Sequence, residues 1–208
     1  MTAYHHGSLR ASLLEQAERV LAERGADSLS LRELARAAGV SHSAPRRHFP
    51  TRQALLDALA VTGFQRLGRE LDAPVQPAGG EFAGRLTAFA LAYVRFATSY
   101  PALLDLMFAC LHRPGASLPV REANDQAFTA TIELIAQARG RGDIIGDDPG
   151  QVATAILATV QGLAAIARGA MLTGPKPVET VVRDTITILI SGLQPRELAA
   201  LPPAVRAG

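Results

Sequence analysis

A short basic segment near the N-terminus holds the residues whose types and spacing could bind a ligand. VSHSAPRRHFP, Val40 to Pro50, carries two arginines and two histidines around a proline and contains no acidic residue. From Leu34 to Leu56 there are four arginines, two histidines and no Asp or Glu. Positive charge concentrated in this way suits phosphate groups. The alternative is a solvated helix face without a ligand.

The residues that lead into this segment predict two helices. Apolar residues at helical spacing predict a first helix over residues 8–24, and Gly25 ends it. Ser30 begins the next helix and forms with Glu33 the S-x-x-E pattern of a capping box. Gly39 supplies the left-handed residue that ends this second helix. The basic segment therefore follows directly after a short helix.

Pro45 predicts where the helix inside the basic segment begins. Proline is tolerated in the first turn of a helix, so this helix starts near Ser43, with Ser41 or Ser43 as its cap. Two short helices joined by a glycine-containing turn, the second one basic, are typical of a helix-turn-helix. The charge then lies on the helix that enters the major groove of DNA.

A family resemblance supports this interpretation. The segment LSLRELARAAGVSHSAPRRHFPTRQALLDAL, Leu29 to Leu59, resembles the DNA-binding motif of the TetR family of bacterial transcriptional repressors nearly position for position, and the similarity extends over residues 5–67. Ala92 to Phe108 and the QGLA of Gln161 to Ala164 resemble, more loosely, a TetR subgroup whose ligand domain carries a Trp and a His-Gly pair. The resemblance implies an all-α fold with a three-helix DNA-binding domain and a helical effector-binding and dimerisation domain.

The chain departs from the family pattern at two positions. Arg46 stands where family members usually have Tyr, whose ring packs and whose hydroxyl reaches a phosphate. Gln161 stands where the subgroup has His, and the chain contains no Trp. Arg46 can keep the phosphate contact without the same packing, and the identity of the subgroup's ligand does not transfer.

The predicted DNA contacts lie on and around the second helix of the pair. Residues 42–44 lie at its exposed start, where side chains either reach base edges or serve only as cap and solvated surface. Arg46 and Arg47 are expected to hold phosphates, which positions a protein without specifying sequence. Arg47 could instead brace the fold through Glu33. The full predicted set is Ser30, Arg32, Ser41, His42, Ser43, Ala44, Arg46, Arg47, His48, Thr51 and Arg52.

Composition predicts four parts of the chain. Residues 1–50 form the helix-turn-helix domain, and residues 51–72 form a connecting helix whose N-terminal amides, with Thr51 and Arg52, could hold a phosphate. A segment rich in Pro and Gly, Asp72 to Glu81, marks the boundary. Residues 79–194 form the effector-binding and dimerisation domain, and residues 195–208 form a tail.

Aromatic and apolar residues of the second domain predict an effector pocket between helices. The pocket would be apolar with a few polar contacts, from Tyr93 and Gln161 and from His112 or Asn124. Each of these residues could equally be ordinary core. The predicted lining is Phe89, Tyr93, Phe96, Met107, Phe108, Leu111, Phe128, Leu157 and Gln161.

The last two predicted helices are apolar on more surface than one subunit can cover. Pro149 to Ala167 is uncharged for 19 residues, long enough in principle for a membrane span, but its Gln, Thr, Gly and Ala content favours a buried bundle helix. Packing of these helices from two subunits predicts a four-helix bundle and a two-fold dimer. The predicted interface residues are Ala155, Ala158, Gly162, Ala165, Ile186, Leu189 and Ile190.

Composition also bears on the class of protein and on its cellular compartment. Cys110 is the single cysteine and no signal peptide is visible, which predicts a reducing cytoplasm and no membrane partner. Cys110 and His112 point to different sides of a helix, so no metal site or cofactor is expected. No catalytic set is visible, and an enzyme is not expected. The prediction is a ligand-responsive, dimeric repressor that binds a double-stranded DNA operator and a small, apolar effector; the alternative is a ligand-binding or scaffold protein whose DNA-binding head is degenerate.

Overall fold

The chain folds into helices throughout the residues that the structure describes. A computed structural model describes residues 6–75, 81–145, 148–169 and 176–193. The helices of these ranges are α1 (His6–Arg24), α2 (Leu31–Ala37), α3 (Ala44–His48), α4 (Arg52–Val75), α5 (Phe82–Ser99), α6 (Pro101–His112), α7 (Leu118–Gly140), α8 (Pro149–Arg168) and α9 (Val178–Leu193). The predicted all-α fold is confirmed. The predicted tail and half of the Pro- and Gly-rich boundary, residues 76–80, lie outside the described residues.

Glycine and proline set the short helices of residues 6–50, the predicted DNA-binding head, where the sequence predicts them. Gly25 and Gly39 adopt positive φ angles of 78° and 66°, and they follow α1 and α2. Such angles are easy only for a residue without a Cβ. Pro45 lies in the first turn of α3 and is buried. Gly39 and Pro45 delimit the turn between α2 and α3, which carries the basic segment into position.

The caps of these helices differ from the prediction. Ser30 and Ser43 occupy the N-cap positions of α2 and α3, but neither side chain makes a capping hydrogen bond. The hydrogen bonds of the predicted capping box of Ser30 with Glu33 are therefore absent, and that prediction is wrong. At the start of α3, Ser41 Oγ lies 3.1 Å from Ser43 Oγ instead of capping the helix. Thr51 makes the cap that the sequence analysis missed, because its Oγ1 accepts a hydrogen bond from the amide of Ala54 at 3.0 Å.

Helix α4 connects the head to the rest of the protein. It runs to Val75, three residues farther than the predicted connecting helix. It packs against α5, α6 and α7. The approach to α6 is close at Gly63, where an added Cβ would lie 2.6 Å from Met107 Sδ. Gly68 similarly lies against the backbone of Ala127 on α7. A rotation of α4 therefore requires α6 or α7 to move with it.

A partly buried ion pair joins the head to α4. Glu18 on α1 accepts hydrogen bonds from both terminal nitrogens of Arg66 on α4, at 2.6 and 3.0 Å. The Arg66 guanidinium also lies over the ring of Tyr100, 4.9 Å from its centroid. The hydrogen bonds to Glu18 raise the pKa of Arg66. A bidentate ion pair of this kind has a fixed geometry, so it holds α1 and α4 together at this point.

Candidate DNA-binding and effector sites

The basic segment presents its arginines to solvent. Arg46 and Arg47 on α3 are exposed, as is Arg32 on α2. None of the three forms an ion pair with a described residue. Charges left unpaired on a short exposed helix are free to meet the phosphates of a nucleic acid.

The other predicted DNA contacts lie on the same elements. Residues 41–43 form the exposed turn ahead of α3, and Thr51 is exposed at the start of α4. Ser30, Ala44 and His48 are half-buried. Helix α3 is only five residues long, so its first turn, with residues 43–46, is the part that can approach base edges. Contact with DNA by each of these residues stays a prediction.

Arg47 and Arg10 of the head differ in their contacts within the protein. The predicted alternative in which Arg47 braces Glu33 is not realised, since Glu33 lies 3.9 Å from Arg24. Arg10 on α1 places its guanidinium over the ring of Phe49, 5.4 Å from the centroid. Arg47 thus forms no ion pair with a described residue.

Arg52 is used inside the head. Its Nε donates to the carbonyl of Leu29 at 3.0 Å, and its Nη2 donates to the carbonyl of Ala26 at 2.6 Å. The same guanidinium lies 3.8 Å from Asp27. Arg52 thus ties the start of α4 to the loop before α2, and its predicted phosphate contact stays a prediction. A guanidinium that already donates to two carbonyls has less capacity for a phosphate.

A cavity of about 420 Å³ lies between α6, α7 and α8. It contains five of the predicted pocket residues, namely Phe108, Leu111, Phe128, Leu157 and Gln161, and both candidate polar residues, His112 and Asn124. Its volume falls within the range of ~300–1,000 Å³ found for sites that hold drug-sized molecules. Six further lining residues were not predicted from the sequence, namely Asp125, Thr131, Ile132, Ile135, Ala153 and Thr154. These residues lie three, four or seven positions from predicted lining residues on α7 and α8, and this spacing could have indicated that they share the same helix face.

Four predicted pocket residues do not line this cavity. Phe89, Tyr93 and Phe96 on α5 and Met107 on α6 are core residues at most 1% exposed. Tyr93 packs against the cavity residue Phe128, with ring centroids 6.4 Å apart. Burial raises the pKa of Tyr93, and its predicted polar contact to an effector is corrected to a place in the core. These side chains fix the position of the cavity wall from behind.

A polar cluster lies between the end of α6 and the start of α4. Arg113, just past α6, is 3.6 Å from Asp57, and Gln53 Nε2 donates to Asp57 at 2.7 Å. Cys110 lies in the same cluster, with its Sγ 3.9 Å from Gln53 Nε2. Burial, helped by the Asp57 carboxylate, raises the pKa of the Cys110 thiol to about 11. The thiol is therefore buried and protonated, which makes it a poor nucleophile.

Helix α8 keeps an apolar face open to solvent. Ala155, Ala158, Gly162 and Ala165 are all exposed, as predicted for an interface. Over Gly150–Arg168 this helix is long and apolar enough to cross a membrane, yet only 28% of its apolar window is buried. One side of α8 packs against α5, and the small-residue face stays uncovered in a single subunit, so the expectation of a buried bundle helix stays a prediction for the assembly.

Helix α9 shows a different face from the one predicted. Ile186 and Ile190 are 0% and 6% exposed and pack inside the subunit, so the predicted interface role of both is corrected. Leu189 is half-buried, and Ile188, which the sequence analysis did not select, is 74% exposed. A large apolar side chain that is so exposed marks a candidate contact surface.

Comparison with known protein families covers both halves of the chain. Residues 13–59 match the family model described as bacterial regulatory proteins, tetR family. Residues 86–189 match the model described as tetracyclin repressor-like, C-terminal domain. The chain belongs to the TetR family. It is therefore a DNA-binding transcriptional regulator of this family rather than an enzyme, and the subgroup with the Trp and His-Gly pair stays a prediction.

Solved structures share this TetR fold along nearly the whole chain. A protein of unknown function from Rhodococcus sp. RHA1 is 45% identical, with a TM-score of 0.87 over 94% of this chain and 100% of that one. The TetR family transcriptional regulator PfmR from Thermus thermophilus is 19% identical, with a TM-score of 0.65 over 88% of this chain and 99% of that one. The flavonoid-responsive regulator FrrA is 23% identical, with a TM-score of 0.69 over 92% of this chain and 100% of that one. No curated protein matches the chain.

Proposed function

We propose that this TetR-family regulator is a cytoplasmic, ligand-responsive repressor that binds a near-palindromic operator as a homodimer. The observation that carries the proposal is the exposed helix α3, whose Arg46 and Arg47 have no ion-pair partner among the described residues. Two such helices, one DNA turn apart on a two-fold dimer, would read two half-sites.

Dimerisation is supported by the uncovered faces of α8 and α9. The exposed small residues Ala155, Ala158, Gly162 and Ala165 lie next to one another on α8, and an added Cβ at Gly162 would meet nothing within 4 Å. Small residues allow helices to approach closely, and Ile188 adds apolar surface on the neighbouring helix. A second copy of the chain would bury both faces in a four-helix bundle.

Ligand response is supported by the contact between the end of α6, which lines the cavity, and α4. The cavity wall includes Phe108, Leu111 and His112 at the end of α6, and the next residue, Arg113, reaches Asp57 on α4. An effector that prefers a displaced α6 would also displace α4 and change the spacing of the two heads. Such coupling requires only that the ligand bind the two conformations with different affinity.

A nuclease-protection footprint of the chain on the DNA upstream of its own gene tests the proposal. We expect two protected half-sites with centres separated by about 10 base pairs or a multiple of it. A protein of the same fold that lacks DNA-binding activity would leave no footprint, and a single half-site of protection would contradict the dimeric arrangement.

A further inference from the structure

The charges around the cavity restrict what it can hold. No lysine or arginine is among the residues that line it, and Asp125 on α7 contributes a carboxylate. Arg113, which follows the end of α6, directs its guanidinium towards Asp57 instead. A ligand anion would therefore meet a carboxylate and neither a lysine nor an arginine among the lining residues.

The Asp125 carboxylate has room for a cationic partner. Its Oδ1 accepts a hydrogen bond from the side chain of Asn124 at 3.1 Å, and the carboxylate forms no ion pair with a described residue. Asp125 is exposed at the edge of the cavity, where a ligand group can reach it from inside. The second oxygen is thus free to accept from a ligand ammonium.

Aromatic rings form the inner wall. Phe108 and His112 are one turn apart on α6, and their rings are stacked with centroids 5.8 Å apart and 21° between the planes. Phe128 on α7 lines the cavity as well, and Leu111, Ile135 and Leu157 complete its apolar surface. Flat rings favour a flat apolar body, and the faces of Phe rings attract positive charge.

We infer that the cavity binds a lipophilic organic cation, in which a flat apolar body packs against Phe108 and Phe128 and an ammonium group meets Asp125. This inference rests on the proposed function, because it gives the chemical class of the effector that the cavity would hold. Gln161 on α8, which makes no side-chain hydrogen bond with a described residue, can add a contact to a polar substituent.

A matched series of three probes tests the inference. Anthracenemethylamine, anthracenemethanol and anthracenecarboxylate share one fluorescent three-ring body and differ in charge. We expect the full-length protein, without DNA, to bind the amine about tenfold more tightly than the alcohol, and the carboxylate more weakly than either. The preference for the amine should fall as salt rises, because Asp125 is exposed.

Three variants locate the effect. Asp125→Asn should remove most of the roughly tenfold preference and leave the affinity for the alcohol within about twofold. Glu122→Gln removes an exposed acid on the same helix that does not line the cavity, so it should change none of the three affinities. Ala153→Trp should fill the cavity and abolish binding of all three probes, with thermal unfolding used to verify that each variant is folded.

Several outcomes would overturn the inference. These are equal or tighter binding of the alcohol or the carboxylate, an amine preference that persists in Asp125→Asn, binding that survives Ala153→Trp, and no binding of any probe to the wild type. DNA binding is measured separately without a probe. A regulator that protects its operator but fails the probe test keeps the proposed function and loses only the ligand class.

Discussion

The ring of Phe108, which lines the cavity, meets the ring of Phe64 on α4 edge-on, with centroids 5.9 Å apart and 86° between the planes. Phe64 is fully buried, and the residue before it, Gly63, lies against Met107, the residue before Phe108. The cavity and the helix that leads to the DNA-binding head therefore share one packed contact. A displacement of Phe108 towards α4 meets the buried ring of Phe64 and must move α4 with it.

The close contact of α4 with α6 predicts an unusual response to a small substitution. Gly63→Ala should lower the free energy of unfolding by about 0.5–2 kcal/mol, because overpacking against the buried Met107 outweighs the gain in helix propensity. Gly84→Ala on α5 is the matched control, since an added Cβ there meets nothing within 4 Å, and it should not destabilise. Urea unfolding of both variants checks this, and a Gly63→Ala protein at least as stable as wild type would contradict the close packing.

The exposed face of α8 predicts a charge-sensitive assembly. Ala158→Glu should convert the dimer to a monomer at micromolar concentration, because two carboxylates would be buried against apolar surface. Ala136→Glu introduces the same change at an exposed position of α7 and should leave the dimer intact. Light scattering after gel filtration measures both masses. A dimeric Ala158→Glu protein, or a monomeric wild type, would show that this face is not the interface.

The buried thiol predicts a loss of stability at high pH. The pKa of Cys110 is raised from 9.0 to about 11 in the folded protein, so between these values the unfolded chain releases a proton that the folded chain keeps. Stability from this residue is therefore complete below about pH 9 and falls as the pH rises towards about 11. Each pH unit within that window corresponds to about 1.4 kcal/mol at most.

Comparison of wild type with Cys110→Ala isolates this contribution. The variant should be less stable than wild type at about pH 8, and the difference should shrink by up to about 2 kcal/mol at about pH 10.5, as measured by urea unfolding. Other groups that titrate at high pH are common to both proteins and cancel in the difference. A constant difference across this range would mean that the thiol titrates normally.

The parts of the fold that sequence predicts well are those fixed by local backbone chemistry. Gly25 and Gly39 permit the positive φ angles at which these helices end, and Pro45 is tolerated only in the first turn of a helix, so residue type alone predicts where the short helices begin and end. Thr51 was missed as a cap because Ser, Thr and Asp side chains cap only where the turn geometry places them correctly, which the residue type alone does not specify.

Contacts between distant segments were harder to predict. Arg52 bonds to carbonyls 23 and 26 residues earlier in the chain, a distance that no local pattern encodes. Apolar periodicity predicts α9 as an interface helix but does not show which of its two apolar faces packs inward, so the sequence did not distinguish the buried Ile186 from the exposed Ile188. Likewise, the pattern found aromatic residues on α5 and α6 but did not separate the cavity wall, such as Phe108, from the core behind it.

The affinity of the protein for the DNA upstream of its own gene, measured as a function of salt, tests the central claim most directly. The wild type should bind this DNA more tightly than random DNA, with steep weakening as salt rises, and Arg46→Ala with Arg47→Ala should lower the slope of log K against log salt by about 2. Arg139→Ala, an exposed arginine at the end of α7, serves as the control and should leave the slope unchanged. Binding no tighter than to random DNA, or a slope that the double variant does not alter, would contradict the assignment of α3 as the DNA-reading helix.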